Sequence, residues 1–282
     1  MRAATRAYLT RELSALGYAP REEPFAWTET MSATDLDSGE KQSSSRRHKD
    51  RHVLAEKRGL LEPERILEVA AHFDTVPRSP GADDNASGVA ALLEVAAALA
   101  PLELARTVRF CFFSQEERFL IGSRRHVEAF TARGEQVEGA LVLDGVGYTD
   151  HRPDSQSSPV WIPLVAWPPS TGDFLLIVGD HRSGGLGDLF EGATARYAPE
   201  LELYGVKRLG GLFKDAARSD HANYWRAGLP AVLLTDSGNF RNPNYHRPSD
   251  TPETLDFEFL TRVTRATAAT AASWAGLMRP RN

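Results

Sequence analysis

A single cysteine, Cys111, stands in the 282 residues. That scarcity excludes an intrachain disulfide and a cysteine-built zinc cluster, and it fits a reducing compartment. No stretch approaches the roughly 18 consecutive apolar residues that a membrane-spanning helix needs. The N-terminus, MRAATRAYLTRELSALGYAP, offers no signal-peptide core, because Arg2, Arg6, Arg11 and Glu12 interrupt every apolar stretch. The cytoplasm is therefore the expected location. Neither sign of charge dominates: 33 Lys and Arg against 38 Asp and Glu leave a formal net charge of -5. That balance argues against nucleic acid or an anionic membrane as partner, and nothing in the pattern sets an oligomeric state. No G-x-S-x-G elbow, phosphate-binding P-loop or G-x-G-x-x-G follows a predicted strand, which sets aside the chemistries those motifs carry.

What is present has the texture of a layered α/β protein. Short apolar runs at 66–71, 107–113, 139–143, 174–179 and 231–235 read as strands buried on both faces, as in a parallel sheet covered by helices. Cys111, among Phe110, Phe112 and Phe113, is read as a core residue. Helical patterns occupy 4–17, 86–100, 123–134 and about 186–197. A last helix at about 256–277 puts Phe257, Leu260, Val263, Thr267, Ala271 and Trp274 on one stripe. The expectation is a three-layer α/β/α domain with a mixed, largely parallel central sheet. One domain spans the chain, with an irregular excursion at about 149–205 that opens on a stretch, 148–172, holding five prolines. The polar, basic run at 28–51 reads as a solvated loop.

Acids and histidines gather just after the predicted strands, where open α/β sheets bind ligands. His72 with Asp74 two residues on suits a metal ligand whose second ring nitrogen is oriented, or else a structural histidine. Asp83, Asp84 and Asn85 precede a helix; one such residue is enough for a cap, and adjacent acids repel unless a cation lies between them. Glu116 and Glu117 follow the 107–113 strand, a pair suited to one metal ligand and one proton carrier, or to a solvated loop. Asp144 closes another strand. Asp220 and His221 stand together, and His246 and Asp250 lie in a proline-bounded loop.

In this order, the elements His72-Phe73-Asp74, Gly81 to Gly88, Glu116-Glu117 with Gly122-Ser123, Asp144, Ser219-Asp220-His221 and His246 with Asp250-Thr251 resemble peptidase family M28, the co-catalytic zinc aminopeptidases and carboxypeptidases. The likeness runs from about 52 to 275, with a gap at roughly 149–205. It implies two zinc ions per chain, bridged by Asp84, with His72 and Asp144 on one and Glu117 and His246 on the other. It further implies Glu116 as general base, Asp74 orienting His72, Asp220 and His221 lining the site, and a cis peptide after Asp84. The sequence departs from the family at Phe119, where glycine is usual, and it lacks the cysteine pair that some secreted members carry.

The expected substrate is a peptide or small amide, cleaved most readily beside a free N-terminus. A carboxypeptidase or another amidohydrolase is the neighbouring possibility; Arg241 would then bind a substrate carboxylate, unless it is a surface arginine. A single-zinc glutaminyl cyclase and a non-catalytic binding domain on the same fold are the readings from other classes.

Overall fold

The computed structural model describes residues 2–34, 41–158 and 169–278. In chain order its elements are α1 (Arg2–Ala15), β1 (Arg21–Thr34), β2 (Lys41–Lys57), β3 (Glu62–His72), α2 (Gly88–Leu99), β4 (Arg106–Phe113), α3 (Ile121–Ala132), β5 (Gln136–Leu143), β6 (Leu175–Gly179), α4 (Gly184–Tyr197), β7 (Leu203–Val206), α5 (His221–Arg226), β8 (Ala231–Thr235) and α6 (Phe257–Ala275). One eight-stranded sheet runs in the order β1-β2-β4-β3-β5-β8-β6-β7. The centre, β4-β3-β5-β8, is parallel, and so is the β6–β7 pair; β1–β2, β2–β4 and β8–β6 are antiparallel.

Strand periodicity sorts the core into two layers. Leu67, Val69 and Ala71 of β3 and Val108, Phe110 and Phe112 of β4 face one side, where α1, α2, α4 and α6 supply Leu9, Leu92, Phe190 and Val263. The intervening Ile66, Ala70, Cys111 and Phe113 face the other side, against Val127 and Phe130 of α3 and Tyr224 of α5. Helices thus cover both faces, as the apolar runs predict. Cys111 is a core residue, and burial pushes its thiol up to about 12.

On that second side the core contains ions. His126 lies between Glu23 (2.5 Å) and Glu68 (3.0 Å), and Arg109 reaches Glu68 at 2.9 Å and Glu56 at 2.7 Å. The Tyr224 hydroxyl donates to Glu68. The cluster fastens β1, β3, β4, α3 and α5 to one another, and each buried charge in it has a counter-charge, the condition under which burial is tolerated.

The expected loop at 28–51 is a correction. Residues 28–34 and 41–51 belong to β1 and β2, paired in continuous antiparallel register; 35–40 lie outside the described residues. Cross-strand partners compensate for the polar composition. Glu22 meets Arg51 (2.9 Å), Glu29 meets His48 (3.0 Å), and Trp27 stacks on His48 with ring centroids 5.0 Å apart. Composition within the run did not register Phe25 and Trp27, which stand just before it. Two short elements, β7 and α5, also carry no sequence pattern of their own. Phe257, placed on the apolar stripe of the last helix, is 60% exposed because it opens α6 beyond the covered surface. Asp256 caps that helix through Glu258 N–H and Phe259 N–H. Of the expected excursion at 149–205, residues 159–168 lie outside the described residues; the rest holds β6, α4 and the start of β7, and β6 and β7 form the far edge of the sheet.

Candidate metal centre

His72 ends β3, Glu116 and Glu117 follow β4, and Asp144 follows β5. Asp84 lies in the turn that leads into α2, and His246 in the loop between β8 and α6. These are carboxyl-end positions of neighbouring strands, so the topology brings together residues up to 174 positions apart (246 minus 72).

The donors form two sets, His72 with Glu116 and Asp144, and Asp84 with Glu117 and His246. Asp84 touches both: its Oδ1 is 3.3 Å from His72 Nε2 and its Oδ2 2.9 Å from His246 Nε2. His72 Nε2 is also 3.3 Å from Asp144 Oδ1, and His246 Nε2 is 3.4 Å from Glu117 Oε2. Donors at about 2.0–2.1 Å around one tetrahedral zinc stand roughly 3.3 Å from each other, so this spacing fits zinc in both sets. The peptide after Asp84 is cis.

Charge makes the same point. Burial pushes Glu116 well above the usual carboxylate range, and the neighbouring Asp144, Asp220 and Glu117 charges add to it against the opposing pull of His72. Burial also raises Glu117, whose Oε1 is buried without a partner among the described residues. Burial alone would lower His72, yet Glu116 and Asp144 raise it well above the ordinary value. His246 is pushed up to about 9 by its hydrogen bonds to Asp84 and Glu117. Acids packed this closely either hold protons or need positive charge among them; the two raised histidines supply part of that charge, and metal ions would supply the rest.

Other groups hold the donors in place. Asp74 was expected to orient His72 through its carboxylate. Instead its main-chain carbonyl meets His72 Nδ1 at 3.0 Å, and the carboxylate, 3.8 Å from the ring, accepts the N–H groups of Glu116 (3.1 Å) and Glu117 (3.3 Å). Asp250 does the same for the bridging turn, accepting from Asp83 N–H (2.9 Å) and Asp84 N–H (3.2 Å). The Asp83 side chain points away from the donor sets, toward Gly147 N–H, Asn242 and Asp236. The quoted motif contained Asp250, but no sequence signal marked Asn242 or Asp236.

Asp220 and His221 are fully buried, so neighbouring Ser219, not this pair, lines the adjoining cavity. Burial raises Asp220 to about 7. It lowers His221 to about 4, and the ring sits 2.7 Å from the Ala216 carbonyl. Arg241 is not on the surface. It is 5% exposed, donates to Gln156 (2.7 Å), and stacks over Phe174 at 4.5 Å.

A cavity of about 590 Å³ opens beside Asp84, Glu116 and Asp144. Phe174, Leu176, Val178, Val206, Phe213 and Phe240 give it a mainly apolar wall. The cations on that wall are engaged: Lys207 by Asp188 and Glu191, Arg208 by Asp188, and Arg218 by Asn239. Among the described residues, no helix is long and apolar enough to cross a membrane.

The model of peptidase family M28 matches residues 53–271. YfbL of Escherichia coli (strain K12) is 31% identical over 209 residues, 70% of this chain and 64% of YfbL. The probable lipoprotein aminopeptidase LpqL of Mycobacterium tuberculosis is 43% identical over 233 residues, 76% of this chain and 43% of LpqL. The chain therefore spans between 43% and 64% of the length of these two curated relatives. The solved aminopeptidase of Aneurinibacillus sp. strain AM-1 superposes with a TM-score of 0.71 at 18% identity, covering 97% of this chain and 88% of that one. At that identity the likeness speaks for the fold.

Proposed function

The chain belongs to peptidase family M28, and from its site we propose that it is a two-zinc aminopeptidase that releases apolar N-terminal residues from peptides or small amides. The observation that carries this reading is Asp84, whose two oxygens each face a different histidine, 3.3 and 2.9 Å away. One carboxylate shared between two N/O donor sets is what a pair of zinc ions requires. His72 and Asp144 would hold one ion, Glu117 and His246 the other. When bound, the two ions would activate a water and polarise the scissile carbonyl.

Glu116 has the remaining task. Although it groups with His72 and Asp144, its carboxylate stands 4.0 Å from His72 Nε2, farther than that of Asp144 or Asp84 (3.3 Å each), and it borders the cavity, free to carry a proton. It takes the proton from the attacking water and returns it to the leaving amine. Asp74 fixes where that carboxylate stands by holding the backbone beneath it. The apolar cavity next to the acids suits a bulky side chain on the residue being released.

A substrate carboxylate finds no ready partner: the cations on the cavity wall are engaged, and Arg241, the candidate for binding one, donates to Gln156 and stacks over Phe174. This supports the aminopeptidase over the carboxypeptidase reading. The test is hydrolysis of aminoacyl-amides, free and N-blocked, alongside C-terminally free peptides. Leucyl and phenylalanyl amides with free amines should be cleaved best. Glu116→Gln should lower kcat by about 10²- to 10⁴-fold while keeping two zinc ions by elemental analysis. Cleavage of blocked substrates alone would refute the aminopeptidase reading, and one zinc per chain would favour a glutaminyl cyclase.

A further inference from the structure

The β1–β2 pair extends beyond the rest of the sheet. β2 meets β4 only from Val53, opposite Phe112, to Lys57, so residues before Val53 continue past the carboxyl end of β4, on the side of the metal centre. Asp50 and His52 therefore stand beside the turn that carries Glu116 and Glu117.

That turn has backbone hydrogen bonds of its own, such as Leu120 N–H to the Glu116 carbonyl at 2.8 Å, but part of its backbone is in an unfavourable conformation. Gln115, Phe119 and Leu120 have φ of +69°, +59° and +58°, left-handed conformations that side chains with a Cβ resist. From one side it is held by Asp74, as described. From the other it is held by Asp50, whose side chain is 5% exposed. Asp50 Oδ2 accepts from Ser114 Oγ (2.8 Å) and Gln115 Nε2 (2.6 Å), and Oδ1 accepts from Arg6 and from Arg51 N–H, each at 2.9 Å. Arg2 adds an ion pair at 2.9 Å, and His52 Nδ1 accepts from Ser114 N–H at 3.2 Å. Burial alone would raise the Asp50 carboxyl. The hydrogen bonds from Gln115, Ser114 and Arg51, with the charge of Arg2, lower it instead, so it stays an acceptor at neutral pH. Asp50, His52 and the arginines of α1 all precede residue 53, where the match to the family model begins.

We propose that Asp50 is a positioning residue for Glu116 and Glu117: through Ser114 and Gln115 it fixes the turn that aims one at the proton and the other at the metal shared with His246. This rests on the roles given to those glutamates under the proposed function. Because Asp50 grips the residues just before the pair and Asp74 grips the pair itself, the turn is clamped at two points, one of them supplied by the N-terminal arm.

The experiment uses the full chain and the variants Asp50→Ala, Asp50→Asn, Gln115→Ala and Arg6→Ala. Each is measured for Co²⁺ uptake by titration and absorption, for kcat and KM separately, and for thermal unfolding. Asp50→Ala should weaken the second equivalent of Co²⁺ by roughly 10- to 100-fold and lower kcat similarly, with KM little changed. Asp50→Asn keeps an oxygen for Ser114 and Gln115 and should recover most of the affinity. Arg6→Ala should lower the unfolding temperature yet leave metal affinity intact. Gln115→Ala should weaken the second metal, and adding Asp50→Ala to it should cost less than the two effects combined.

A folded Asp50→Ala that takes up both equivalents with wild-type affinity would overturn the proposal. If that variant does not fold, Gln115→Ala with unchanged affinity overturns it equally, as does an Arg6→Ala variant that loses metal as severely as Asp50→Ala. Wild type that binds two ions but cleaves no member of the substrate panel refutes the peptidase reading alone, since the titrations still report on the turn.

Discussion

At the scale of single residues, three of the candidate donors, His72, Glu117 and Asp144, were legible because they sit at or shortly after the end of a buried strand, where apolar runs stop. Asp84 and His246 lie in a turn and a loop and were picked out by the family resemblance. Phe119 shows the opposite case, a residue whose oddity in the sequence has a conformational meaning. Its φ is +59° and its ring is 98% exposed, so the side chain gains nothing from burial while the backbone occupies a region that favours glycine. Phe119→Gly should therefore stabilise the protein by about 0.5–1 kcal/mol, the left-handed penalty less the extra chain entropy of glycine. Urea denaturation of the two proteins measures it, and a destabilised variant would show that the ring makes contacts worth more than the backbone relief.

At the scale of elements, the buried ions between β1, β3 and α3 make stability depend on pH. Folded Glu23 and Glu68 are each held down at about 2, against 4.5 for a free side chain, chiefly through His126 overcoming the upward push of burial. Their folded values lie below the unfolded one, so their contribution is complete above about pH 5 and is lost as pH falls toward 2. His126 runs the other way. Burial would lower it, but Glu68, Cys111 and Glu23 raise it well above 6.5, so its contribution is full below that pH and is lost as pH climbs through the folded value. His126→Ala removes the cation that Glu23 and Glu68 share, leaving Glu68 with Arg109 and Glu23 with Arg133, and should cost about 2–4 kcal/mol. That deficit should be largest between about pH 5 and 6.5, where both contributions are present, and shrink below about pH 5 as the two acids lose theirs. Thermal unfolding of both proteins across pH 4–8 checks the sign as well as the size.

At the scale of the whole molecule, the metal centre joins segments that have no reason to meet except through the sheet. The acids gathered there repel one another in the absence of cations, so zinc should stabilise the fold as well as serve the chemistry. A ligand present at about 100 times its Kd adds roughly 2.7 kcal/mol, and each kcal/mol moves Tm by about 2–4 °C in a chain of this order of size. Chelation should therefore lower Tm by about 5–10 °C, and added zinc should restore it. An unfolding curve indifferent to both would show that the donor sets bind no metal.

The sequence by itself determined the layered α/β fold, because burial dictates apolar runs, and it offered the donor residues as candidates through strand ends and the resemblance to the family. It also placed five of the six α-helices among the described residues, whose periodicity and stops are local properties. Tertiary structure decided everything that depends on pairing at a distance. It turned residues 28–34 and 41–51 of the polar run into strands through cross-strand ion pairs and a stacked ring pair, which no window along the chain contains. It reassigned Asp74 from the histidine ring to the backbone of Glu116 and Glu117, and buried Arg241 against Phe174. It also set Asp50 against Gln115, residues 65 positions apart. Local pattern records what one residue asks of its neighbours in the chain, whereas a hydrogen bond across the sheet is fixed only when the sheet has formed.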